Sequence, residues 1–174
     1  MKSPTDVLRD EHRVIAQMLG TLERAANRLT AGGALPDGWW EQVIDWLRAF
    51  ADRNHHAKEE KSLFPAMVKA GVPAEDSPIS VMLEEHAQGR ALIQAMATGE
   101  PAPRGAVALQ YVQLLRDHID KENGFVFPLA DSVLDEQSQQ ALTREFEAVE
   151  IEQGRDASSP YAEMVVRGLT DALG

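Results

Sequence analysis

Apolar residues recur at Leu8, Ile15, Leu19, Leu22, Ala26 and Leu29 with His12 on the same line, and this four-three spacing predicts an amphipathic helix with one buried seam. Ser3 or Thr5 can cap its start, Asp6 and Asp10 suit its positive end, and Gly32-Gly33 stops it. After a turn around Pro36-Asp37-Gly38, a second helix is expected from about Trp39 to Lys69, with Leu47, Phe50, Phe64 and Met67 among its apolar positions. Gly71, Pro73 and Pro78 mark a loop before a third stripe of Ile79, Met82, His86, Gly89, Ile93 and Met96. A fourth stripe, Val107, Tyr111, Leu114, His118, Glu122 and Phe125, follows Pro101, Pro103 and Gly105. Beyond Asp131, Leu142, Phe146 and Val149, and then Tyr161, Met164, Val165, Gly168 and Leu169, predict two shorter helices broken by Gly154 and Pro160. The pattern is all-α. It predicts a four-helix up-down bundle over residues 1–134, with one or two extra C-terminal helices over residues 135–174 packed on it.

Each of the four long stripes carries a histidine. Residues i and i+4 of a helix project from one face, so a His–Glu pair at that spacing offers a nitrogen and an oxygen together. In the second helix two such pairs compete. His55 and Glu59 share a face with Arg48, Asp52 and Ser62, which predicts that they look to water. His56 and Glu60 fall with Ala49, Leu63 and Met67, so α-helical phase selects His56 and Glu60 for the interior. Arg53, one turn before His56, then has to leave the core or pair with an acid. The fourth helix supplies His118 with Glu122. The run from Glu122 to Phe127-Pro128 is one residue longer than that from Glu60 to Phe64-Pro65, and an extra residue of this kind is absorbed as a π-bulge.

Each helical hairpin thus offers His, then His plus Glu, an approximate internal two-fold repeat. The candidate metal ligands are His12, His56, Glu60, His86, His118 and Glu122. Six ligands exceed a tetrahedral zinc site and suit two ions bridged by the two carboxylates. Buried carboxylates without cations would each face a desolvation cost of roughly several kcal/mol. With no cysteine in the chain, thiolate ligation, iron–sulfur clusters and disulfides are excluded, and any metal must be held by nitrogen and oxygen. Carboxylate-rich ferritin-type sites use Glu-x-x-His at three-residue spacing, unlike the His-x-x-x-Glu phrases here. Tyr111 lies two turns before His118 on the same face, where it can fill the core or turn its hydroxyl to the metals.

Charge narrows the partners. With 17 Lys and Arg against 28 Asp and Glu, the net charge of -11 repels phosphate backbones and anionic membranes, so neither nucleic acid nor a membrane surface is expected as a partner. No apolar run is long enough to span a bilayer and the first residues lack the apolar core of a secretion signal, so a cytoplasmic protein, monomer or homodimer, is the simplest expectation.

The motifs Asp10-Glu11-His12, His55-His56-Ala57-Lys58-Glu59-Glu60 with Leu63-Phe64-Pro65, Glu85-His86 with Gly89-Arg90, and His118-Ile119-Asp120-Lys121-Glu122 with Phe127-Pro128 resemble the haemerythrin-like family, the HHE cation-binding domains, over roughly residues 5 to 131. The resemblance implies a four-helix bundle around two iron ions, with zinc or manganese as substitutes. Glu60 and Glu122 would bridge the irons beside an oxo or hydroxo group. Oxygen-carrying haemerythrins have a second histidine four residues after the third-helix ligand, where this chain has Arg90. One imidazole fewer implies more open coordination and argues for reaction with dioxygen, hydrogen peroxide or nitric oxide, in sensing, detoxification or stress defence, over reversible oxygen carriage. The alternatives are an iron- or oxygen-responsive binding protein and an iron donor for iron–sulfur cluster repair. The sequence does not select between catalytic turnover and binding.

Overall fold

The computed structural model describes residues 2–99 and 101–174, and among them there are helices and no strand. Helix α1 (Pro4–Thr30) begins with a capping box in which Ser3 and Asp6 satisfy each other's backbone N–H groups. Helix α2 (Trp39–Trp46) runs on through two π-helical stretches, Leu47–His56 and Glu59–Leu63, into α3 (Phe64–Lys69). Helix α4 (Pro78–Thr98) opens with a second capping box, Ser77 with Ser80. Helix α5 (Pro101–Lys121) continues through a π-helical turn, Glu122–Val126, into α6 (Phe127–Val133). The chain ends with α7 (Glu136–Gln153) and α8 (Ser159–Asp171).

The predicted stripes are buried in α1 and α4 as expected, from Leu8 to Ala26 and from Ile79 to Met96. In the fourth stripe the expectation for Phe125 is corrected. Its residue is 58% exposed, while Val126 and Phe127 turn inward. The π turn at Glu122–Val126 delays the helical phase, so the apolar side chains reach the core later than α-helical spacing predicts.

Two apolar clusters form the interior. One contains Ile15, Leu19, Leu22, Leu47, Phe50, Ile93, Tyr111 and Leu115, and the other Leu8, Leu63, Phe64, Ile79, Met82, Val126 and Phe127. Along each of the four long helical stretches the inward histidine lies between a residue of one cluster and a residue of the other: His12 between Leu8 and Ile15, His56 between Ala51 and Leu63, His86 between Met82 and Ile93, His118 between Leu115 and Val126. The polar centre is therefore sandwiched between two dry layers, which is the setting that makes its polar atoms costly to leave unpaired.

The tail helices are bound by specific contacts. Trp39 and Trp46 donate their indole N–H groups to the carbonyls of Leu169 and Ala162, at 2.9 and 3.2 Å, and Thr21 meets Thr170 at 2.6 Å. These bonds hold α8 against α1 and α2. No described helix is long and apolar enough to cross a membrane.

Candidate metal centre

All five histidines are buried, and with two glutamates they form two adjoining groups: His56, Glu59, His86 and His118, and His12, His55, Glu59 and Glu122. Of the six residues chosen by α-helical phase, the structure brings His12, His56, His86, His118 and Glu122 together and leaves Glu60 outside. It adds His55 and Glu59. The expectation that His55 and Glu59 face water is corrected, since they are 1% and 0% exposed. The cause is the π-helix over Leu47–His56, whose wider i→i+5 turn brings the unbroken run Asn54 to Glu59 into the interior. Arg53 escapes to the surface, as its charge requires.

A signal for the missed pair was present in the sequence. His55 lies nine residues before Phe64 and His118 nine before Phe127, with Glu59 and Glu122 each five before the same Phe-Pro. The expected extra residue in one half is thus absent. Both halves carry a π turn in the same place, Glu59–Leu63 and Glu122–Val126.

The two carboxylates join the groups. Glu59 sets one oxygen 3.4 Å from His55 Nε2 and the other 3.3 Å from His86 Nε2. Glu122 sets its oxygens 3.3 Å from His118 Nε2 and 3.0 Å from His12 Nε2. His86 Nε2 and His118 Nε2 face each other at 3.0 Å.

Behind the rings, four Nδ1 atoms are already committed. His55 Nδ1 donates to Glu11 at 3.0 Å, His118 Nδ1 to Glu85 at 2.9 Å, His86 Nδ1 to Glu60 at 2.8 Å and His12 Nδ1 to Asn123 at 2.9 Å. An ionised carboxylate only accepts, as does the amide oxygen of Asn123, so these partners hold the proton on Nδ1 and leave Nε2 to face the centre. The partners repeat by two-fold symmetry. Glu11 and Glu85 each precede an inward histidine, and Glu60 and Asn123 each follow a central glutamate. Glu60 is thereby a support for His86, further fixed by Arg90 at 2.6 Å, and Arg90 also donates to Asp52 at 2.8 Å.

His56 is the residue without a two-fold mate, since Ile119 occupies the equivalent position. Its ring stacks on His86 with centroids 3.8 Å apart. It also overturns the expectation of a lost imidazole: although Arg90 stands where oxygen carriers have a histidine, five imidazoles converge here.

Electrostatics follow from this packing. Burial would raise the Glu122 carboxyl, but His118 and His12 hold it well below the usual range. Burial likewise opposes ionised Glu11, and His55 and Lys58 outweigh it. Burial pushes His56 well below its ordinary value, and the neighbouring His86 adds to the shift, so His56 is a neutral imidazole. His86 is opposite in sign. Burial lowers it, yet Glu59 and Glu60 raise it to about 9.

The donor set fits cations. Of the ten buried side-chain polar atoms without a hydrogen-bond partner among the described residues, seven belong to His12, His56, Glu59 and Glu122, all members of the two groups. Two desolvated carboxylates with both oxygens unpartnered among the described residues, ringed by imidazoles, form a donor set that cations between them would satisfy.

The sequence pattern described as "Hemerythrin HHE cation binding domain" matches residues 3–130, most of the chain. The chain belongs to this family. It is therefore a haemerythrin-like protein with a buried His/Glu cation site, and α7 and α8 lie beyond the matched segment. It is also similar to uncharacterized proteins of Mycobacterium bovis and of two strains of Mycobacterium tuberculosis. Each is 27% identical over 143 residues, covering 76% of this chain and 54% of the relative. The chain thus spans about half the length of the curated relatives it matches. No solved structure matches it.

Proposed function

We propose that this chain holds two iron ions and binds or reacts with small oxidants: dioxygen, hydrogen peroxide or nitric oxide. The observation that carries the reading is the pair of carboxylates, Glu59 and Glu122, each reaching a histidine of both groups while both of its oxygens stay unpartnered. The proposed ligands are His56, His86 and His118 on one ion, His12 and His55 on the other, and Glu59 and Glu122 on both. This set replaces Glu60 with Glu59 and adds His55. All-nitrogen-and-oxygen donors with five imidazoles suit iron, with zinc and manganese as substitutes.

Bound there, a pair of irons would supply Lewis acidity and exchangeable electrons to a small oxidant. The chain's own contribution is orientation and exclusion of water. Glu11, Glu85, Glu60 and Asn123 keep the Nδ1 atoms of His55, His118, His86 and His12 protonated, and the apolar layers above and below the centre limit solvent. The proposed architecture is a four-helix up-down bundle over residues 1–134 with an extension over residues 135–174. Support comes from the order in which the two apolar clusters are met, which reverses from each long helical stretch to the next.

The test is metal analysis of protein purified without oxygen, followed by optical titration with dioxygen, peroxide and nitric oxide. Close to two irons per chain and a spectral response to at least one oxidant are expected. One ion per chain, or none, would overturn the dimetal reading.

A further inference from the structure

One cluster of supporting charges repeats in the two halves of the centre, but its surroundings do not. In each half a lysine sits immediately before the central glutamate and three residues after the histidine: Lys58 after His55, and Lys121 after His118. Each lysine donates to the glutamate that holds that histidine's Nδ1, Lys58 to Glu11 and Lys121 to Glu85. The triads His55–Glu11–Lys58 and His118–Glu85–Lys121 are therefore equivalent in chemistry.

Their surroundings differ because of α7. The Lys121 side chain is 47% exposed and has water on its outer side. That of Lys58 is 0% exposed, because Glu150 of α7 accepts from its Nζ at 2.7 Å and the Phe146 ring of α7 lies 5.7 Å from the ammonium. Glu11 is saturated on this side, with Asn54 Nδ2 donating at 2.9 Å in addition to His55 and Lys58. Lys58 is thus paired with a carboxylate on either side, Glu11 and Glu150, and α7 shields it from water.

We propose that Lys58, clamped by Glu150 and Phe146, is a positioning residue that locks Glu11 onto His55. The His12–His55 half of the centre thereby becomes its slowly exchanging half. For an ion to leave this half, His55 must turn away from it, and His55 is tied through Glu11 and Lys58 to a helix outside the family-matched segment. His118 is tied only to a solvent-facing lysine. The inference rests on the dimetal reading and adds an inequivalence between the two ions that the ligand set alone does not impose.

The full chain loaded with cobalt(II) tests it, with excess chelator added and loss followed by visible absorption and by metal in the filtrate. If the unsubstituted chain fails to take up two ions, the dimetal reading falls and this inference with it. If it takes up two, release in a slow and a fast phase is expected. Glu150→Ala, at a half-exposed position, and Lys58→Met should each speed the slow phase by about tenfold, the lower end for outer-shell changes, with the fast phase unchanged. Lys121→Met should leave the slow phase as it is. The cobalt bands lost in the slow phase should be those altered by Glu150→Ala. Single-phase release from the unsubstituted chain, or equal acceleration of both phases or of neither by Glu150→Ala, would overturn the proposal while leaving two bound ions intact.

Discussion

His86 Nε2 and His118 Nε2 lie 3.0 Å apart while the Nδ1 atoms of both rings donate to Glu60 and Glu85. With both Nδ1 protons committed, two Nε2 lone pairs would face each other, so without metal one of the two has to carry a second proton. His86 is the ring that keeps it, since burial is outweighed by Glu59 and Glu60 and its pKa rises from 6.5 to about 9. A raised histidine stabilises the fold fully below its unfolded value and loses that contribution as pH rises through the folded one. Metal-free protein should therefore lose stability between 6.5 and about 9, read as a falling denaturation midpoint. Metal must displace the same proton, so binding should release protons and tighten with pH over that window, measured by calorimetry in buffers of different ionisation enthalpy.

Glu59 and Glu60 adjoin in sequence and separate in role. Glu59 is fully buried with both oxygens unpartnered, and the Glu60 side chain is 26% exposed and bonded to His86 and Arg90. Glu59→Ala should prevent retention of two ions through gel filtration. Glu60→Ala should retain them with affinity lower by roughly 10–100-fold, the usual effect of removing a ligand's outer partner. Metal content and chelator competition on the two variants check this, and the reverse order would restore Glu60 as the ligand.

The Tyr111 hydroxyl is buried without a partner among the described residues, and burial together with Asp52 raises its pKa. A desolvated, unpaired hydroxyl costs free energy. Tyr111→Phe should raise stability by about 1 kcal/mol in denaturant titration. A loss of that size would mean that the hydroxyl has a partner.

Gly89 needs no side-chain vacancy. A Cβ there would meet Leu115 and Tyr111 at 3.7 Å, ordinary van der Waals contact, although the ring of Tyr111 lies over it. Gly89→Ala should stabilise α4 by about 0.5–1 kcal/mol, the cost of glycine inside a helix, with metal content unchanged.

Helix stripes, caps and the presence of an inward histidine in each long helical stretch were legible from spacing alone, because burial in α1 and α4 follows the regular α-helical period. Of the predicted site residues, His12, His86 and His118 meet at the centre for the same reason. The failures in and around the centre fall where that period fails. Phe125 points outward, and His55 and Glu59 point inward, in or beside π-helical stretches, whose hydrogen bonds skip one residue further. Counting back from each Phe-Pro would have recovered the pair, since both halves keep one register from His to Phe.

The sequence by itself determined that histidine and glutamate, and no cysteine, would line a helical core in two related halves. That much is set by residue type and repeat. Which of two adjacent His–Glu pairs enters the core was decided by tertiary structure, since packing between two apolar layers selects the helix period. The joining of Lys58 to Glu150, 92 residues apart, likewise follows from packing, because α7 closes over Lys58 and leaves Lys121 exposed.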